Sequence, residues 1–162
     1  MKTSLERILR YVSWADQRSL RAIRDSLKAR AQVLPIMSHL LAAEHIWLSR
    51  LLGQPPLFAV WPNLNLEHCE QLSAENTAGF HAYVATSTEE QLMSRITFRT
   101  TAGQEYSMSA LDILTQVVTH GSYHRGQIAK ILGQSGESSI NTDFIVYTIE
   151  ELQIAEHQKN AG

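Results

Sequence analysis

Two histidines four residues apart, His120 and His124, have a spacing that suits metal binding. Residues four apart in an α-helix lie on the same face, so both imidazoles could reach one metal ion. A step of about 100° per residue sets the two rings about 40° apart, among apolar side chains. These neighbours are Ile113, Val117, Ile128 and Ile131, and the opposite face carries Asp112, Thr115, Thr119, Ser122 and Lys130. A buried imidazole pair needs polar partners, so its position calls for an explanation.

Two explanations are open for this pair. The rings could be core histidines that bond to neighbouring polar groups such as Gln116, Gln127 or Tyr123. Alternatively they could bind a metal, which prefers at least three protein ligands. The metal hypothesis therefore requires a third ligand elsewhere in the chain.

The third ligand is predicted on an apolar helix over residues 33–53. His39 lies about 120° from His45 on this helix and points among apolar side chains, so His39 is the candidate and His45 is predicted at the surface. Glu44 also falls on an apolar sector, and a buried carboxylate needs a partner that the sequence does not identify. His68 and Cys69 are adjacent in a predicted loop, where neighbouring residues make a poor chelate.

The periodicity of apolar residues predicts the elements that position these side chains. Four long helices are expected over residues 4–31, 33–53, 73–94 and about 109–135, with a short fifth helix over residues 142–157. Residues 95–108 alternate apolar and polar side chains around Gly103, which predicts a hairpin. Residues 53–72 are expected to form a long loop, with Phe58 and Trp61 folded back onto the helices. The expected fold is all-α: an antiparallel four-helix bundle with a short fifth helix and a small β-hairpin.

Composition narrows the class of protein. The chain has 162 residues, which fits one domain over residues 1–162 with a frayed tail from about residue 158. Its net charge of −2 offers no bulk attraction to nucleic acid or acidic membranes, and no apolar run is long enough to span a bilayer. The single cysteine, Cys69, excludes an internal disulfide framework and fits a reducing cytoplasm. We therefore expect a cytoplasmic protein that binds neither nucleic acid nor membrane.

Three imidazoles from His39, His120 and His124 would leave a coordination position open, which is typical of catalytic rather than structural metal sites. The residue after His120 is Gly121, whereas a zincin HExxH helix carries the general-base glutamate there, so that metalloprotease reading fails. Such a site suits several divalent transition metals. We expect zinc or nickel first, with iron, manganese and copper as the other candidates.

Several segments spread over nearly the whole chain form one pattern. They are YVSWAD at residues 11–16, HLLAAE at 39–44, WL at 47–48, the Gly103 hairpin, HGSYHRGQI at 120–128 and DF at 143–144. Together they resemble the DinB/YfiT-like family of metalloenzymes. The resemblance implies a four-helix bundle, often a homodimer, with a divalent metal on three histidines, which by position are His39, His120 and His124. Characterised relatives include enzymes that add or remove low-molecular-weight thiols such as mycothiol or bacillithiol, and a maleylpyruvate isomerase.

Two functional hypotheses follow from the site and the resemblance. The first is a metal-dependent transferase that joins a low-molecular-weight thiol to a small electrophile. Arg125 lies about 100° from His124 on the helix, so it is not expected to touch the metal. We expect a structural or anion-facing role for it. The second is a non-catalytic metal-binding or stress-response protein that acts through its dimer surface, with His45, His68 or Glu44 closing the site as a fourth ligand. In a third interpretation the site binds no metal and the histidines are remnants of a lost metal site.

Overall fold

The protein is mostly helical and carries one small antiparallel sheet of two strands. The computed structural model describes residues 1–100 and 103–160. Its elements in chain order are α1 (Lys2–Asp25), α2 (Arg30–Leu51), α3 (Leu66–Thr86), α4 (Glu89–Met93), β1 (Arg95–Arg99), β2 (Glu105–Ser109), α5 (Ala110–Gln134) and α6 (Phe144–Asn160). None of these described helices combines the length and the apolar character needed to cross a bilayer.

The four long helices α1, α2, α3 and α5 pack against one another. Helices α1 and α2 each contact both α3 and α5, and α2 contacts α5 most extensively. Helix α2 is buried around most of its circumference, as its apolar sequence predicts. This packing brings the face of α5 that carries His120 and His124 against the helix that carries His39.

Helix α1 ends at Asp25, six residues before the predicted end. The reason lies in a residue far along the chain, because Glu137 accepts hydrogen bonds from the backbone N–H groups of Leu27 (2.6 Å) and Lys28 (3.0 Å). The Ser26 hydroxyl also donates to this carboxylate at 2.5 Å. These donors, the Ser26 hydroxyl first, lower the pKa of Glu137 to about 2. The carboxylate thus stabilises a turn that local periodicity does not reveal.

The predicted third helix is two helices. Helix α3 begins at Leu66, earlier than expected, because the Asn65 side chain accepts a hydrogen bond from the His68 backbone N–H. It ends at Thr86, and Thr88 starts α4 with a reciprocal capping box. The chain is extended at Thr88, so one continuous helix over residues 73–94 was wrong.

The hairpin and the helices α5 and α6 follow the predictions closely. Strand residue Ile96 pairs with Met108 in an antiparallel register. Gly103 has a φ of 81°, which favours glycine, and residues 101 and 102 lie outside the described residues. Ser109 caps α5 through a capping box with Asp112. Helix α6 continues through residue 160, so residues 158–160 of the predicted frayed tail are helical, and residues 161–162 are not described.

Candidate metal centre

The structure brings the three predicted histidines together at the contact between α2 and α5. One ring nitrogen of each of His39, His120 and His124 lies within 4.8 Å of those of the other two. The ring centroids are 4.4 Å apart for His120 and His124, 4.7 Å for His39 and His124, and 5.3 Å for His39 and His120. His39 and His124 are buried and His120 is half-buried. Three histidines this close suggest metal binding.

In two of the three rings, Nδ1 is hydrogen-bonded to a carbonyl oxygen, which leaves Nε2 for the cluster. His39 Nδ1 lies 2.6 Å from the Val60 carbonyl oxygen, and His124 Nδ1 lies 2.8 Å from the Gln127 side-chain oxygen. Because these oxygens can only accept, each Nδ1 carries the proton and each Nε2 presents a lone pair. His124 Nε2 in turn lies 3.1 Å from His120 Nε2. Such outer hydrogen bonds, which fix ring orientation and tautomer, are typical of metal-binding histidines.

The environment keeps at least two of the rings neutral. Burial, followed by the neighbouring His124 and His39 rings, lowers the pKa of His120 to about 4. Burial also lowers the pKa of His39, although its hydrogen bond to Val60 opposes the shift. A metal ligand must be unprotonated, so both shifts favour a cation over protons near neutral pH.

Arg125 and Glu44, the two residues whose roles the sequence left open, belong to a buried group of charged and polar side chains. The guanidinium of Arg125 is fully buried and donates to the Asp16 carboxylate on α1 at 2.7 Å. Glu44 on α2 is also buried, and Asn76 on α3 donates to it at 3.4 Å. Burial, followed by the charge of Asp16, raises the pKa of Glu44 well above its ordinary value. Arg125 therefore joins α5 to α1 through a buried ion pair and has a structural role.

The small residue at position 121 makes room for this guanidinium. A Cβ on Gly121 would lie 2.6 Å from the Arg125 Nη1 atom, closer than real side chains approach. A glutamate at this position, as in HExxH metalloproteases, would displace Arg125 from Asp16. The absence of a zincin glutamate is thus coupled to the packing of the buried ion pair.

Comparison with known proteins agrees with this geometry. A model of the DinB family matches residues 1–158. The chain belongs to the DinB family. Comparison with curated proteins returns no match.

Other candidate ligands in this DinB-family protein do not join the cluster. His45 is half-buried rather than on the surface, and its ring lies edge-on to Phe58 at 5.1 Å. His68 is exposed while Cys69 is buried, so the two side chains point apart. Across residues 1–100 and 103–160, no fourth histidine, cysteine, aspartate or glutamate joins the three histidines. The fourth-ligand candidates His45, His68 and Glu44 therefore lie outside this group.

The sequence patterns did not identify the residues that contact the histidine rings without being candidate ligands themselves. The Val60 carbonyl belongs to the loop between α2 and α3, and no sequence pattern marks a backbone oxygen as a partner of His39. Trp61 was expected to fold back onto the helices, and it stacks on the His39 ring with centroids 3.8 Å apart. Gln127 was considered only as a structural partner of the histidines. The signal that could have found it is its position three residues after His124, on the same side of a helix.

A cavity of about 680 Å³ lies on the other side of α5, lined by Tyr11, Ser122 and Asp143 among others. Ser122 is about 160° around the helix from His120, so this cavity is separate from the histidine cluster. Chemistry at the histidines would have to use the surface formed by α5 and the loop that contains Val60 and Trp61.

Proposed function

We propose that this DinB-family protein is a metal-dependent transferase that joins a low-molecular-weight thiol, of the bacillithiol or mycothiol type, to a small electrophile. His39, His120 and His124 hold the divalent cation, with zinc or nickel as the first expectation. The observation that carries this proposal is a cluster of three imidazoles that no fourth candidate ligand joins among the described residues. Three ligands leave room for a small molecule on the same ion, as catalytic sites do.

The chemistry of the ligand set fits a thiol reaction. A divalent cation in such a site lowers the pKa of a coordinated thiol and holds the sulfur as a nucleophile. The hydrogen bonds of Nδ1 to Val60 and Gln127 would leave the Nε2 lone pairs of His39 and His124 available to a cation. The lowered pKa of His120 keeps this ligand available at mildly acidic pH, where an ordinary histidine would be partly protonated.

The architecture proposed with this function is an antiparallel four-helix bundle of α1, α2, α3 and α5, with the site between facing helices. The contacts of α1 and α2 with both α3 and α5 support it. We also propose that the protein is a homodimer, as the family resemblance implies. Sedimentation velocity at several protein concentrations would test this, and a monomer throughout would refute it.

The first experiment measures metal content. Protein without an affinity tag is loaded with zinc or nickel, desalted and assayed by elemental analysis. We expect about one ion per chain in the wild type and its loss in His39→Ala. His45→Ala is the matched control, because His45 lies on the same helix but outside the cluster. Equal metal loss in both variants, or none in either, would refute the assigned ligands.

The second experiment measures transfer. Metal-loaded and chelator-treated proteins are incubated with cysteine, bacillithiol or mycothiol and a chromogenic electrophile, and the thioether product is quantified. We expect product formation above the uncatalysed rate only in the metal-loaded protein, and not in His39→Ala. Stoichiometric metal binding without transfer to any thiol would instead favour the non-catalytic alternative.

A further inference from the structure

Two exposed aromatic rings flank the histidine cluster. Trp61 lies parallel to His39, with an interplanar angle of 8°, and its ring centroid is 6.5 Å from that of His124. Tyr123, the residue before His124, has its ring centroid 5.1 Å from that of His124. Trp61 is 62% exposed and Tyr123 is 65% exposed. Both rings therefore combine contact with a candidate ligand and a large surface open to solvent.

Packing of the fold does not account for this exposure. Aromatic side chains stabilise proteins mainly by the area they bury, and more than half of the surface of each of these two residues is exposed. The Trp61 stack on His39 uses one face of the indole, which leaves other parts of its surface accessible. Single exposed apolar residues are ordinary, but two aromatic rings in contact with the same histidine cluster are typical of a ligand-binding surface.

The residue before Trp61 also contributes apolar surface beside the cluster. Val60, whose carbonyl oxygen contacts His39, has an apolar side chain that is 36% exposed. An uncharged group with a flat π-surface is the partner that such rings stabilise best, by stacking or edge-to-face contact.

We propose that Trp61 and Tyr123 form an aromatic rim that selects electrophiles with a planar, unsaturated or aromatic body over aliphatic ones. This inference rests on the proposed function, because it assigns the substrate class of the same site. The rim holds the electrophile beside the cluster, and neither ring takes part in bond making.

The test compares the binding of two product-like thioethers that differ in the electrophile portion. S-(2,4-dinitrophenyl)cysteine carries a planar ring, and S-carboxamidomethylcysteine carries a small aliphatic amide. Dissociation constants are measured by equilibrium dialysis on the metal-loaded protein, with the metal content of every sample determined. The variants are Trp61→Ala, Trp61→Phe and Tyr123→Leu. Leu57→Ala, an exposed change in the same loop, is the matched control.

The wild type is expected to bind the dinitrophenyl thioether more tightly. One stacked ring is worth roughly three- to tenfold in affinity, so Trp61→Ala and Tyr123→Leu should each reduce the preference by about that factor. Trp61→Phe should retain most of the preference, and Leu57→Ala should leave it unchanged. Because the measure is a ratio of two ligands, an effect of Trp61 on metal affinity alone changes both constants and not the preference.

An equal preference in Trp61→Ala and wild type overturns the rim, as does a wild type that prefers neither thioether or binds neither. The proposed function fails separately. Absence of metal-dependent product with every electrophile refutes the transferase, even where the binding preference and its dependence on Trp61 hold. Metal-dependent transfer to aromatic and aliphatic electrophiles at equal rates, unchanged by Trp61→Ala, refutes only the rim.

Discussion

Asp16, Glu44 and Arg125 form a buried group in which two isosteric substitutions should change the free energy of unfolding by very different amounts. The three side chains are 2%, 3% and 0% exposed, respectively. One guanidinium neutralises one carboxylate, and it contacts Asp16. Burial and the charge of Asp16 favour the protonated form of Glu44, because they raise its pKa well above the ordinary value. Within the described residues, Glu44 Oε1 has no hydrogen-bond partner, which is costly for an ionised carboxylate.

Glu44→Gln replaces a neutral acid by a neutral amide of the same shape. We expect the free energy of unfolding to change by less than about 1 kcal/mol at acidic pH. Asp16→Asn leaves the Arg125 charge without the counterion it contacts, and breaking a buried pair costs about 3–5 kcal/mol. Because Glu44 can ionise in its place, we expect Asp16→Asn near the lower end, and the double variant to lose more than the sum of the single changes.

The pH dependence separates the two protonation states of Glu44. A carboxyl group whose folded pKa is raised stabilises the fold fully below its ordinary pKa of 4.5, and this contribution is lost as pH rises through the folded value. Glu44→Gln removes that loss. Its stability relative to wild type should therefore increase as pH rises from 4.5, with a slope of at most about 1.4 kcal/mol per pH unit.

The assay is urea unfolding of metal-free protein, followed by far-ultraviolet circular dichroism between about pH 4 and about pH 8. Asp25→Asn is the control, because Asp25 lies exposed at the end of the same helix as Asp16. It should change stability by less than about 0.5 kcal/mol. The reasoning is refuted if Glu44→Gln costs as much as Asp16→Asn, or if its stability relative to wild type does not depend on pH.

Three further predictions concern α5. Gly121→Ala places a Cβ 2.6 Å from a buried guanidinium nitrogen, so it should lower the free energy of unfolding in urea by about 1–3 kcal/mol. Gly126→Ala is the control, because its Cβ meets no atom within 4 Å and the change should be neutral or stabilising. Gln127→Ala removes the acceptor that orients His124 and should weaken zinc binding by about 10- to 100-fold in a chelator competition assay; unchanged affinity would contradict this role. Because the pKa of His120 is lowered in the folded state, His120 binds a proton at higher pH in the unfolded chain than in the folded protein. Metal-free protein should therefore lose stability as pH falls from about 6.5 toward 4. The same loss in a His120→Gln variant would show that His120 does not cause it.

The helical periodicity of the sequence was sufficient to predict the site-bearing helices and which of their histidines face inward. An α-helix repeats every 3.6 residues, so local spacing alone places His120 and His124 on one apolar face and His39 on a buried sector. The turn predicted at Gly103 is equally local, because it depends on neighbours within a few positions. These features need no knowledge of how the helices pack.

Only the tertiary structure decided the partners that come from distant segments. Asp16 meets Arg125 across 109 positions of the chain, and Glu137, which follows α5, binds the backbone just after α1. The Val60 carbonyl and the Trp61 ring reach His39 from an irregular loop whose path no periodicity describes. Such contacts depend on which helices are neighbours and on how each is rotated. The sequence alone therefore determined which side chains face inward, and the packing of the helices determined what each of them contacts there.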